Sequence, residues 1–256
     1  MIFGHKKAVP TPGESDVAID EELSEPDEEL DDESLDATDA ADDEDEDDED
    51  DEDDEAVEEL DQWVQFDLSQ DWREDGPFDI DEVDLSADDV ERIDLGAVII
   101  TPEKGMTIKL VADATTQQVM HVLVEHGPQA AVQITVFAAP ADGSDYCAEI
   151  RQDIIDHTDN AKVIEMVEGP FGTELRRVLA VTDDQGREGF APLRDWLVAG
   201  PRWVLDVRLI GQAALDGDNK GVAAVFEEFV HNIVVRRGDQ AMVPGTVVPL
   251  KPVGQE

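Results

Sequence analysis

Cysteine is almost missing from this sequence, and Cys147 stands alone. A lone thiol excludes an internal disulfide and a multi-thiolate metal site, so the cysteine count offers nothing in favour of an oxidising compartment. Long apolar runs are missing too. Nothing approaches the roughly 18 consecutive apolar residues that a membrane helix needs, and Met1 to Pro10 carries Lys6 and Lys7 with no apolar stretch behind them. The expectation is an unexported, cytoplasmic protein with no membrane partner. Basic residues are the third scarcity, 18 Lys and Arg against 66 Asp and Glu. Affinity for a phosphate backbone comes from basic side chains that displace condensed counterions, so direct binding of nucleic acid is not expected.

What is present is acid, and it is unevenly placed. Residues 1–60 hold 30 acidic and 2 basic residues, 61–100 hold 13 and 2, and 101–256 hold 23 and 14. The leading segment ends in DDEDEDDEDDEDDE from Asp42 to Glu55, and such a composition cannot bury enough apolar surface to offset the entropy of ordering it. We therefore divide the chain into a disordered acidic tail over 1–70, a linker over 71–92 that touches the domain, a globular domain over 93–238 and an extended C-terminal segment over 239–256. Within the tail, Leu60, Trp63 and Val64 recur at helical spacing and predict a short docking helix over Glu58 to Phe66.

In the domain, apolar runs bounded by turn residues predict strands at Val98–Thr101, Met106–Ala112, Gln118–His126 and Ala130–Ala138. After Pro140 and Gly143 the period changes, and Cys147, Ile150 and Ile154 line one side of a helix that starts near Ser144. Four further strands follow at Ala161–Val167, Glu174–Thr182, Gly189–Val198 and Arg202–Gly211. In the last of these Trp203, Leu205, Val207 and Leu209 alternate with Asp206 and Arg208, which predicts a half-buried strand. Lys220–Val234 puts Val222, Val225, Phe226, Phe229, Val230 and Ile233 on one stripe, the strongest helical pattern in the chain. Three prolines in the apolar AMVPGTVVPLKPV segment predict extended chain along the surface. The fold class expected is α+β, a mostly antiparallel sheet of about eight strands with two covering helices.

Candidate chemistry is thin. Asp216, Asp218, Lys220, Gly221 and Glu227 approximate a calcium loop, but Lys220 brings an ammonium where an oxygen ligand belongs. A polar loop in which Asp218 or Asn219 caps the following helix is the simpler reading. His121 and His126 differ by five and fall on opposite strand faces, and His5, His157 and His231 form no ligand pair. Cys147 lacks the histidine and the low-pKa setting of a nucleophile and reads as a buried apolar thiol. Arg176, Arg177, Arg194, Arg202, Arg208, Arg236 and Arg237 read either as solvated ion pairs or as an anion-docking face over which the tethered polyanion would act as a lid. The sequence nominates no catalytic, cofactor-binding or metal-binding residue and no cofactor.

The stretches RIDLGAVIITPEKGM, ITVFAAP, EGPFGTEL, GPRW and VVRRGDQAMVP, in that order, resemble an actinobacterial family of domains of unknown function, DUF3710. The resemblance runs from about Asp75 to Leu250. Family members often carry a tryptophan in the helix after FAAP, where this chain has Tyr146 and Cys147, and a second glycine before the GPRW turn, where it has Ala199. The resemblance implies a bacterial cytoplasmic protein and assigns no activity. The order of elements is also similar to the Mog1/PsbP-like fold, whose members mostly bind proteins. Three readings remain, of which weak divalent-ion buffering by the acid run implies only low affinity, because flexible carboxylates must be gathered at an entropic cost. Another is a non-enzymatic interaction module that meets a basic protein through the acidic tail, which the charge partition favours. The third is a ligand-binding or enzymatic domain whose pocket is assembled from residues scattered along the chain.

Overall fold

Turns of hairpin length leave antiparallel pairing as the natural connection between successive strands. The computed structural model, which describes residues 61–140, 144–217 and 220–251, has that arrangement. In chain order the elements are α1 (Gln62–Asp67), β1 (Phe78–Asp79), a 3-10 turn (Ile80–Glu82), β2 (Ile93–Asp94), β3 (Val98–Ile100), β4 (Met106–Ala112), β5 (Val119–His126), β6 (Ala130–Ala138) and α2 (Ser144–Asp156). Then come β7 (Ala161–Gly169), β8 (Gly172–Thr182), β9 (Glu188–Gly200), β10 (Trp203–Gly211), α3 (Gln212–Leu215), α4 (Gly221–His231) and β11 (Val234–Val235). Two antiparallel meanders, β4-β5-β6 and β7-β8-β9-β10, join through β6 and β10 into one seven-stranded sheet of order β4-β5-β6-β10-β9-β8-β7.

The strand expected at Val98–Thr101 is not in that sheet. A tight turn, closed by the Leu95 amide donating to the Val98 carbonyl at 2.8 Å, folds β3 back on β2, and β11 takes its other edge. With β1, which runs parallel to β11, these make a second sheet of order β1-β11-β3-β2. Every residue of β3 is buried.

Two helices cover the large sheet on opposite faces. Phe226, Phe229 and Val230 of α4 share one core with Trp203, Leu205, Val207 and Leu209 of β10 and with Val132, Ile134 and Val136 of β6. On the other face Cys147 and Ile150 of α2 pack on Val204 and Leu197. This corrects the half-buried reading of β10. Its second face is also closed, with Val204 at 0% and Asp206 at 3% exposure. Alternation reported that the two faces differ in chemistry, and β10 is central, so neither is wet. The turn into β10 works because Gly200 lacks a Cβ, which would overlap the Trp203 ring.

Residues 61–92 belong to the ordered fold, although the sequence reading divides them between tail and linker. Asp61 caps α1 by accepting from the Trp63 amide. Asp67, at the far end of α1, reaches across to Arg151 of α2 at 2.5 Å and to the Thr173 amide of β8 at 2.6 Å. Asp79 of β1 accepts the Trp203 indole N–H at 2.7 Å, so this segment is fastened to the central strand. The expectation of disorder over residues 1–60 lies outside the described residues.

The described part of the C-terminal segment, residues 239–251, is docked on the domain. Gly245 donates to the Ala138 carbonyl, Val248 to Val136 and Leu250 to Val119, so the segment runs along the ends of β6 and β5 with Val248 and Leu250 buried. Among the described residues, no helix is long and apolar enough to cross a membrane.

Candidate functional site

Charged residues inside a strand must find partners on their own face, and the arginines do so. On the α4 face, Glu174 is fully buried and accepts two bonds from Arg194, Nε at 2.8 Å and Nη2 at 2.7 Å. Arg176 Nε reaches Glu174 at 2.5 Å, the Trp196 indole N–H donates to the same carboxylate, and Arg194 Nη1 donates to the Asp216 carbonyl. On the α2 face, Asp195 is equally buried and lies between Arg177 Nη2 at 2.7 Å and Arg208 Nε at 2.6 Å. Arg177 also donates to Thr158 Oγ1, which ties the chain just beyond α2 to the sheet. Arg236 pairs with Asp94, and Arg202 donates to the Gly238 carbonyl. Arg177 and Arg194 are thus buried and matched, which neither the solvated pairs nor the anion-docking face expected from the sequence describes. Arg236 with Asp94 is a solvent-exposed pair, as one of those expectations has it, Arg202 is exposed, and Arg237 is buried with its Nε unpartnered among the described residues.

One carboxylate in this polar row is unmatched. Asp206 lies 3.8 Å from Arg208 Nη2, and its Oδ1 has no hydrogen-bond partner among the described residues. Burial pushes its pKa up to about 7, against the opposing pull of Arg208, with Asp195 adding to the rise. Thr135, its cross-strand neighbour, sits 2.8 Å through Oγ1 from His121 Nδ1. Burial lowers the pKa of His121, and Arg208 lowers it further. His126 instead turns toward Phe226 on the opposite face, as the odd spacing requires.

A groove lies between α2 and the C-terminal segment, about 530 Å³ in volume. Phe137, Ile150 and Ile154 supply its apolar lining, Pro244 to Thr246 form one wall, and Tyr146, Glu149 and Asp153 contribute polar groups. Sequence reasoning missed it. The helical spacing of Tyr146, Ile150 and Ile154 was legible, but the wall comes from about a hundred residues later.

Other candidates resolve simply. Cys147 is buried, its Sγ faces the Leu197 carbonyl at 3.8 Å, and burial pushes its pKa up to about 12, so it is an apolar thiol. Asp216 Oδ2 accepts the Val222 amide at 2.7 Å and caps α4. Asp218 and Asn219, the expected caps, lie outside the described residues. Among the described residues no group of three or more His, Cys, Asp or Glu is placed to hold a metal ion.

Comparison with known proteins adds a family and little more. A family model described as "Protein of unknown function (DUF3710)" matches residues 76–255. The chain belongs to this DUF3710 family. No curated protein matches the chain. A crystal structure from Bacteroides thetaiotaomicron VPI-5482 is similar at 13% identity and a TM-score of 0.34, covering 58% of this chain and 48% of that one, so this chain spans about half its length. The solution structure of cyanobacterial PsbP (CyanoP) from Synechocystis sp. PCC 6803 is similar at 9% identity and a TM-score of 0.31, covering 60% and 97%. For this DUF3710 member the α+β assignment stands on its own antiparallel sheet and covering helices. The family match also begins at Gly76, within the segment that the structure fastens to β10 and β11.

Proposed function

We propose that this chain is a non-enzymatic interaction module that engages a basic protein in the cytoplasm. The observation that carries this reading is the disposal of charge within the domain. Arg151, Arg177, Arg194 and Arg208 are turned onto carboxylates of the same domain, whereas Asp71, Glu74, Asp75, Asp81, Asp89 and Glu91 are exposed. These exposed acids follow directly on a leader with 30 acidic residues in its first 60. The field presented to a partner is negative, and such a field speeds encounter with basic surfaces and repels acidic ones.

Affinity capture with the full chain and with a chain that begins at Asp61, at 0.1 M and 0.5 M salt, tests the reading. Basic proteins should be recovered by the full chain at low salt and fall away at high salt or without the leader, since exposed charges are screened beyond about 10 Å at 0.1 M and over shorter distances at higher salt. A set of captured proteins indifferent to both changes counts against it.

A second reading, a ligand-binding or enzymatic domain, draws on Asp206, whose unpaired Oδ1 and raised pKa are features found at functional sites. It predicts that Asp206→Asn abolishes an activity while leaving the fold intact. Unchanged activity in that variant, once any activity has been measured, removes its support.

A further inference from the structure

α2 presents two different rows to the groove beside it. Tyr146, Ile150 and Ile154 recur every four residues on one side, and Glu149 and Asp153, also four apart, flank them. Four-residue spacing stacks side chains one turn above another, so an apolar floor runs beside an acidic rail. Phe137 of β6 extends the floor.

The opposite wall is fixed chain. Gly245 donates to the Ala138 carbonyl at 2.8 Å, and Thr246 accepts from the Ala138 amide at 2.8 Å, which ties this segment to β6 through an isolated β-bridge at Phe137 and Val247. Gly245 has φ +81, and a Cβ there would come within 2.7 Å of the Tyr146 hydroxyl. The wall and the phenol are thus in close register, and glycine is what permits it.

Among the described residues the rail meets one weak cation, the exposed His157, whose pKa is raised by the Asp153 backbone and by the Asp153 charge. Arg151, the arginine of α2, is turned away onto Asp67. Among the described residues Glu149 has no ion pair, and Asp153, with 73% of its side chain exposed, meets only His157 at 3.1 Å. A groove of this size is in the range that holds small ligands or a few side chains. Apolar floor and acidic rail together match a side chain with an aliphatic stem and a cationic tip, which is what lysine and arginine are. The tyrosine ring offers such a cation a further favourable face.

We propose that this groove docks a lysine- or arginine-bearing segment of the basic partner, with the aliphatic stem on Phe137, Ile150 and Ile154 and the cation at Glu149 and Asp153. The inference rests on the interaction reading above and names the surface that reading lacks. The leader supplies long-range attraction, and the groove supplies the place of contact.

The test uses the full chain with labelled isoleucine methyl groups, titrated with a twelve-residue peptide of alternating lysine and leucine. A peptide with glutamate in place of lysine serves as the control. The Ile150 and Ile154 methyl signals should shift with the basic peptide and not with the acidic one. Glu149→Lys with Asp153→Lys, both exposed, should leave the melting midpoint in place and weaken binding about tenfold, the scale expected for two surface pairs converted to repulsion. If the basic peptide binds while both methyl signals stay still and the double variant binds equally well, the peptide is held by the leader. The groove assignment then falls, and the interaction reading survives. If the full chain binds no basic peptide at all, both fall. A shift of those signals on Lys6→Glu with Lys7→Glu, before any peptide is added, would give the groove to this chain's own first residues and overturn the partner assignment.

Discussion

Asp206 and Asp195 are neighbouring buried carboxylates with different outcomes, and the difference lies in their partners. Asp195 takes charged hydrogen bonds from Arg177 and Arg208. Asp206 has only the more distant Arg208, and burial holds its pKa near 7. Between the ordinary carboxylate range and pH 7 the folded chain keeps a proton on Asp206 that the unfolded chain has released. The stability contributed by this group is therefore present at low pH and is lost as pH rises through that window. Urea denaturation at pH 5 and pH 8 should show the fall, amounting to roughly a few kcal/mol at most. Asp206→Asn carries no such titration, so its loss between the two pH values should be smaller than that of the natural chain. Equal pH dependence in the two proteins would mean that Asp206 is ionised in the fold at neutral pH.

At the scale of elements, α4 is held by apolar burial and α1 by charge. Phe226 and Phe229 are 0% and 1% exposed against β10 and β6, and truncating one leaves a cavity that the surrounding sheet cannot close. Phe226→Ala should cost about 3–5 kcal/mol by chemical denaturation, and a loss under about 1 kcal/mol would mean that α4 is not seated as described. α1 has only six residues and no buried one. A helix so short is not stable by itself, and what places it is Asp67 on Arg151 and Thr173. The helical spacing around Trp63 was visible in the sequence, while this distant pairing was not.

For the whole molecule, the question is where the folded unit begins. A leader with 30 acidic and 2 basic residues has little apolar surface to bury, so deleting residues 1–60 should change the domain's stability by no more than about 1 kcal/mol. Deleting residues 1–75 is a different experiment. It removes Asp67 and leaves Arg151, 3% exposed, without its carboxylate. Because the deletion also removes α1 from over Arg151, the loss should be that of one charged hydrogen-bonded pair, about 1.5–3 kcal/mol. Thermal or chemical denaturation of the two truncations should separate them clearly, and equal stabilities would show that residues 61–75 are dispensable.

The sequence by itself determined the local structure of this protein. Eight of its strands and both covering helices follow from apolar runs and periods of two and nearly four bounded by Gly, Pro and Asp, because those patterns are properties of the local chain and need no knowledge of distant residues. It determined the uneven charge for the same reason. Only the tertiary structure decided what each polar residue meets. Arg177 and Arg194 looked available along the chain and became buried partners of Asp195 and Glu174 once β8 and β9 lay side by side. Val98–Ile100 looked like a strand of the main sheet and became the middle of a second one because its turn folds back on β2. The groove at Tyr146 required residues 244–246 to arrive beside a helix a hundred positions earlier. Pairings across such separations are fixed by the packing of the whole domain, and no local period records them.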